Sequence, residues 1–237
     1  SDLGVHLVQE TAIEHHGSPM PRVRMRVRSL RGFGSGGSMA SMRAISQAAK
    51  ENSSMVAALV DPFSLADGFR GPEQPSGRER IEEEDFGGWS GPFMMAMINS
   101  RVVHRSNLLL DHRYGADLVY DEMILLGPDP GDGSGDMSVD PGLQPGEGPT
   151  REQREAGHYD IVFRGEDGQG SVVEVEVAAD LDPGYGSTSR IIGEAALCLL
   201  DTTGPGGCLT PAVAMGASLV DRLRDHAGPR ITVTEAP

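Results

Sequence analysis

The sequence has few cysteines, few basic residues and no long hydrophobic run. Only Cys198 and Cys208 are present, and they form no CxxC pair. That spacing excludes a paired-cysteine zinc site, and two thiols make no disulfide framework. A reducing, cytoplasmic setting is expected. Acidic side chains outnumber basic ones, 35 to 20, for a formal net charge of −15. Nucleic-acid phosphate calls for clustered Lys and Arg, so this balance argues for no nucleic-acid partner. The charge favours solubility and says little about fold. The longest apolar clusters are broken by Gly, Arg or Asp, so no segment reads as a membrane span. No basic stretch leading into an apolar core opens the chain, and no secretory leader is read there. The first residue is Ser1 rather than Met, as expected of a processed, trimmed or partial polypeptide.

What is present is enough apolar side chain to fold. The chain has 237 residues and is 38% hydrophobic, which makes a single domain over 1–237 the expectation. Its 32 glycines and 16 prolines promise long loops. Residues 1–16 read as a helix, with Leu3, Leu7 and Ile13 on one side. Residues 19–33 alternate, Val23, Met25 and Val27 against Arg22, Arg24, Arg26 and Arg28. This is a period-two strand with one apolar and one basic face, the basic face pairing with Glu174 and Glu176. A glycine loop follows, then a helix over 39–50 capped by Ser38. Residues 53–60 fit helix or strand. Residues 61–88 read as a surface excursion in which Glu82, Glu83, Glu84 and Asp85 are solvated. Further helices are expected at 92–110, 152–155, 187–200 and 211–224. Strands are expected at 116–126, 158–164, 171–179 and 231–234, with a hairpin turn at 166–170. Residues 127–150 are rich in Gly, Pro and Asp and read as a flexible connection. The sum is an α+β (or α/β) fold: a mixed, mostly antiparallel sheet with helices packed on one face.

Gly32-Phe33-Gly34-Ser35-Gly36-Gly37 matches G-x-G-x-x-G, between a strand and a helix, with Asp61 further on. A dinucleotide fingerprint would follow a strand buried on both faces and almost uniformly apolar. The arginine at every second position of 22–28 contradicts that. The loop is therefore read as a glycine-rich turn whose N–H groups could hold an anion or a polar substrate head.

Four stretches resemble the saccharopine dehydrogenase-like oxidoreductases, including the mycobacterial trans-acting enoyl reductases. The first is Ser1-Asp2-Leu3-Gly4. The second is Gly34-Ser35-Gly36-Gly37-Ser38 with Ala40-Ser41-Met42-Arg43, similar to S-G-G-T-x-A-S-M-R. The third is Gly88-Trp89-Ser90-Gly91-Pro92-Phe93 with Ile98-Asn99-Ser100-Arg101-Val102-Val103-His104-Arg105-Ser106-Asn107, similar to G-W-x-A-P-F and I-N-T-R-V-V-R-R-S-N. The fourth joins Pro145-Gly146-Glu147-Gly148-Pro149, Asp182-Pro183-Gly184-Tyr185-Gly186-Ser187-Thr188-Ser189 and Gly206-Gly207-Cys208-Leu209-Thr210-Pro211. The resemblance implies an NAD(P)-dependent oxidoreductase acting on a lipid-like or amino-acid-derived carbonyl or enoyl substrate. It implies that this chain is the substrate-side portion, and that NAD(P) is held by an N-terminal Rossmann domain absent here, supplied in cis or in trans. It leaves room for a homodimer. Relatives often carry a longer hydrophobic segment between the positions of Leu126 and Pro145. The short acidic stretch here counts against membrane association. The alternative reading keeps the same fold as a non-catalytic ligand-binding or interaction module.

Hydride chemistry needs a proton donor and a clamp for developing charge. Tyr185 is the candidate donor, against a packed tyrosine in a turn where Ser187 or Thr188 caps the helix. Asn99, Arg101, Arg105 and Asn107 fall on one helix, and Arg101 and Arg105 share a face. They would need an anion, or a carboxylate of this acidic chain, between them. Arg101 and Asn99 join Tyr185 as candidate catalytic residues. Gly36, Gly37, Ser38, Arg105, Trp89 and Phe93 are candidates for substrate or anion binding. His104 is expected to face solvent or a domain interface. His15 and His16 read as cationic side chains at a helix C-terminus, not as half a metal site. Met94, Met95 and Met97 read as core or pocket lining. Helices 1–16 and 211–224 are each expected to carry apolar surface with no partner in this chain.

Overall fold

The computed structural model describes residues 1–130 and 143–236, and the backbone of 136–138. The first helix, α1 (Asp2–His16), buries Val5, Val8 and Ala12 completely, three positions at helical spacing. Gly17 ends it in the left-handed region at φ 77°, its N–H returning to the Ile13 carbonyl. His15 sits in the last turn and pairs with Glu235 at 2.8 Å. The chain then enters β1 (Arg22–Phe33), the middle of the molecule.

Beyond β1 come α2 (Gly36–Glu51), α3 (Ser53–Val60), β2 (Ile81–Glu83), β3 (Gly88–Pro92), α4 (Ala96–Leu109) and β4 (Val119–Gly127). Next are β5 (Asp136–Ser138), α5 (Arg151–Ala156), β6 (His158–Glu166), β7 (Val172–Ala179) and α6 (Gly186–Asp201). Two short helices, α7 (Pro211–Ala214) and α8 (Gly216–Arg222), run into a π turn at 223–227, and β8 (Arg230–Ala236) closes the sheet. The strands lie in the order β2-β3-β4-β1-β6-β7-β8, with β5 added to β1. β1 is parallel to β4 and β5 and antiparallel to β6, and the remaining pairings are antiparallel. The fold is α+β, with a mixed, mostly antiparallel sheet.

One face of the sheet is apolar. Val23, Met25 and Val27 of β1 join Phe163, Val173, Val175 and Tyr120 in a core covered by α1 and α4. Gly4 lets α1 approach this closely, since a Cβ there would lie 2.4 Å from the Phe163 ring. Asp2 ties three helices together: it accepts hydrogen bonds from the Ser106 hydroxyl of α4 and, at 2.8 Å, from the Ala212 N–H of α7.

The other face is charged, and its centre is dry. Arg26 is fully buried. Its guanidinium donates to both Glu83 oxygens, at 2.6 and 2.8 Å, and meets Asp121 at 2.9 Å. Arg24 reaches Glu83, Asp85 and Glu166, and Arg22 reaches Asp121. Phe86 lies over both Arg24 and Arg26. Burial alone would raise the Glu83 carboxyl, but hydrogen bonds from Arg26 and Ser90 and the Arg26 charge outweigh it. They hold it down at about 2.

Several expectations need correction. The arginine face does pair with acids, Arg28 with Glu176 among them. Its main partners, however, are Glu83 and Asp121, and Glu174 pairs with Arg164 instead. The acid run at 82–85 is not simply solvated, because Glu83 is buried and Asp85 is bound to Arg24. Residues 61–88 are no mere excursion, since Phe63 and Ala66 are buried and 81–83 form a strand. The cap of α2 is Ser35, whose hydroxyl accepts from the Ser38 N–H at 3.1 Å. Residues 53–60 are helical, and the helix expected at 211–224 is broken into three pieces. Within 127–150, residues 136–138 pair with Arg31–Phe33. Residues 131–135 and 139–142 of that connection lie outside the described residues. Among the described residues, no large apolar side chain of α1, α7 or α8 is exposed. The uncovered ones cluster on α2 and α3 (Met42, Ile45, Met55, Val56, Val60), on α6 (Ile192, Leu197, Leu199, Leu200) and around the start of α4 (Met94, Met97, Ile98), so Met94 is exposed rather than core and Met97 lines a cleft while remaining half exposed.

Glu83→Gln leaves the buried Arg26 with Asp121 as its remaining carboxylate partner and is expected to cost up to about 3–5 kcal/mol. Glu174→Gln, in a part-exposed pair with Arg164, is expected to cost less than about 1 kcal/mol. Urea denaturation of the two variants beside the parent chain measures both.

Candidate functional site

Two clefts gather several of the residues singled out by the sequence. The first lies between α3, α4 and β4 and has a volume of about 370 Å³. Its lining includes Phe93, Met97, Arg101, Tyr120 and Glu122. β4 places Tyr120 and Glu122 on the apolar face and Asp121 on the arginine face, as strand alternation requires. The Tyr120 hydroxyl donates to one Glu122 oxygen at 2.6 Å, and the Asn99 amide of α4 donates to the other at 2.8 Å. Glu122 is 1% exposed, so this carboxylate is buried with neutral donors on both oxygens. Burial, together with the Glu122 charge, holds the Tyr120 hydroxyl well above the usual tyrosine range.

Arg101 forms one wall of this cleft. Its guanidinium donates to the carbonyls of Ala58 and Asp61, each at 3.1 Å, and to those of Leu59 and Met97. These include the carbonyls left without partners where α3 ends. Burial lowers its pKa from the usual arginine value. Arg105 donates to the Leu65 carbonyl at 3.0 Å and the Cys208 carbonyl at 2.7 Å, binding two loops to α4. The two arginines thus satisfy backbone carbonyls, and no carboxylate bridges them among the described residues.

The second cleft, of about 500 Å³, lies where the glycine loop meets the start of α6, and Gly37, Arg154, Tyr185 and Ser189 are among its lining residues. Asp182 builds it. Fully buried, its carboxylate accepts from the N–H groups of Phe33, Gly184, Tyr185 and Gly186 at 2.6–3.1 Å. The end of β1 and the first turn of α6 are therefore held on one anion, a favourable arrangement at a helix N-terminus. This carboxylate, rather than Ser187 or Thr188, receives the first N–H groups of α6. Ser187 instead bonds the Tyr159 hydroxyl, and Thr188 the Pro183 carbonyl. Tyr185 is half exposed at the rim.

The glycine loop does not fit a nucleotide pyrophosphate. The Gly36 N–H already donates to the Glu147 carbonyl at 3.1 Å. A Cβ on Gly36 would fall 1.7 Å from the Gln144 carbonyl oxygen, so the close approach this glycine permits is taken by the chain itself. β1 also runs antiparallel to β6 along most of its length, unlike the strand of a doubly wound nucleotide fold.

The structure therefore brings Asn99, Arg101 and Phe93 to one cleft and Gly37 and Tyr185 to another, with Gly36 and Ser38 in the turn beside the latter. Trp89 stands apart on β3, opposite Glu82 and Gly127. His104 does not face solvent. It is 1% exposed against the Phe63 ring at 4.5 Å, and its Nε2 has no hydrogen-bond partner among the described residues. Two contributors escaped the sequence reading, Glu122 as the centre of a network and Asp182 as an anchor. An Asp-Pro-Gly run just ahead of a helix was the available signal for the second. No group of three His, Cys, Asp or Glu side chains among the described residues is placed to hold a metal. No helix among them is long and apolar enough to cross a membrane.

Against this geometry, the chain is similar to several mycobacterial proteins. A Mycobacterium tuberculosis protein named as a candidate trans-acting enoyl reductase is 34% identical over 94% of this chain and 62% of its own length. A trans-acting enoyl reductase of Mycobacterium ulcerans is 30% identical, and one of Mycobacterium bovis 29% identical, over the same shares. The chain thus spans about three-fifths of the length of these relatives. No family model matches it, and no solved structure matches it.

Burial holds His104 at about 4, well below the ordinary histidine value of 6.5. The unfolded chain takes up this proton first as pH falls, so the contribution of His104 is complete above 6.5 and disappears on the way down to 4. Removing it is expected to flatten the stability curve across that window by about 2–3 kcal/mol. Chemical denaturation of His104→Phe and the parent chain at intervals from pH 4 to pH 7 measures the difference. The Glu83 contribution, lost only between about 4.5 and 2, should remain in both proteins.

Proposed function

We propose that this chain is the substrate-side portion of an NAD(P)-dependent oxidoreductase of the saccharopine dehydrogenase-like, trans-acting enoyl reductase type, acting on a lipid-like or amino-acid-derived substrate. The observation that carries the reading is the similarity, over 94% of the chain, to proteins bearing the trans-acting enoyl reductase name. The closed glycine loop supports a division of labour in which the nucleotide is brought by a Rossmann domain outside these residues. The exposed apolar side chains of α2 and α3 offer that domain a seat, and a second copy of this chain is the other occupant such a surface fits.

Within this reading the cleft residues take distinct roles. Tyr185, half exposed and set at the head of α6 by Asp182, is the proton donor. Asn99 and Tyr120 orient the Glu122 carboxylate at the floor of the first cleft, where Phe93 offers an apolar wall. Arg101 positions the α3 wall by holding its last carbonyls. Gly37 and Ser38 open α2 beside Tyr185, and Arg105 acts at a distance by bracing two loops against α4.

Supplying the N-terminal region of the Mycobacterium tuberculosis relative, fused to or mixed with this chain, is expected to yield NADPH-dependent reduction of a 2-enoyl thioester. Tyr185→Phe should then lower kcat by roughly 10²–10⁴-fold, the usual worth of a positioned proton donor, with KM little changed. No turnover with that region supplied would support the non-catalytic module instead.

A further inference from the structure

We propose that the gap between α6 and the β6–β8 end of the sheet is a binding site for a long alkyl chain. The gap has a volume of about 420 Å³, within the range of ligand sites. Leu3, Ile161, Phe163, Val177, Ile191 and Leu223 are among the residues that line it. It exists because the apolar interior falls into two parts. α1 packs directly on β6 and β7, over the main core. α6 packs instead on α8 and the π turn, around Cys198, Leu219, Leu223 and Ala227. The two clusters share Ile231, and the cavity opens between them.

Apart from Ser1, the walls favour an apolar occupant. Three polar residues of the lining, Asp2, Tyr159 and Thr188, already bond to protein: Asp2 to Ser106 and Ala212, Tyr159 to Ser187, Thr188 to Pro183. Water in the gap would find few partners there. Left empty, the surrounding leucine, isoleucine and valine side chains would forgo their dispersion contacts on one side. The volume takes roughly a dozen groups of water size, which suits a flexible chain of methylenes. Ile192 lines the gap and is 67% exposed, so the apolar surface continues outward at this point and marks a mouth. The site's place in the reaction rests on the lipid-like substrate class proposed above; its existence rests on the cavity alone.

Titrating 1-dodecanol into the purified 237-residue chain by calorimetry tests the site without nicotinamide or enoyl substrate, so its outcome is separable from that of the proposed reaction. Saturable one-to-one binding is expected, weakening about fourfold for each methylene removed. Ala195→Trp, inside the gap, should abolish it. Ile192→Trp, at the exposed mouth where folding is least at risk, should weaken it. The Met55→Ser/Val56→Ser double substitution, on the exposed apolar face of α3, should leave it unchanged. Absence of saturable binding, affinity independent of chain length, or affinity unchanged by Ile192→Trp overturns the proposal. So does loss of binding in the α3 double variant, which would place the alcohol on the outer surface.

Discussion

Arg26 lies on the central strand with no exposure to water, and its guanidinium is shared between Glu83 of β2 and Asp121 of β4. A buried guanidinium without carboxylates would be far too costly to keep, so the partners must be brought to it. That requirement fixes much of the molecule. β4 must run beside β1 in the register that sets Asp121 near Arg22 and Arg26, and the β2–β3 hairpin must fold onto the sheet edge so that Glu83 reaches across. Once Asp121 faces the arginines, strand alternation turns Tyr120 and Glu122 to the opposite face. The floor of the first cleft is thus a consequence of ion pairing on the far side of the sheet.

A third buried carboxylate does comparable work at the far end of β1. Asp182 gathers N–H groups from the end of β1 and the beginning of α6, and so sets Tyr185 beside the glycine loop. Glu83, Asp121 and Asp182 act on architecture first. The chemistry open to the clefts follows from where they leave Tyr185, Glu122 and Asn99.

The sequence carried the main lines of this fold. Arg22, Arg24, Arg26 and Arg28 alternating with Val23, Met25 and Val27 mark a two-faced strand, and the same alternation exposes β7 and its hairpin with β6. The edge hairpin was illegible for a local reason. Gly88, Gly91 and Pro92 are poor strand formers, and they pair here because tertiary contacts override propensity. The pairing of Arg28 with Glu176 was legible, but the main partners of the arginines were missed because Glu174 and Glu176 sit on an obvious strand, whereas Glu83 sits in an acid run that looks solvated. The cap of α2 was missed by a turn: two glycines separate Ser35 from Ser38, and only geometry shows which hydroxyl receives the N–H. At the site, Tyr185, Asn99, Arg101 and Phe93 could be picked from motifs. That Arg101 spends most of its donors at the end of α3, and that Gly36 is closed off by Gln144, depends on contacts spanning 40 or more residues of chain.

The central claim is that these residues form a substrate side whose nucleotide comes from elsewhere. Equilibrium titration of NADPH into the isolated chain tests it most directly. The account predicts no saturable binding, since the glycine loop is filled by its own backbone. Micromolar binding that disappears in Gly34→Val would contradict it and make the loop a nucleotide site after all.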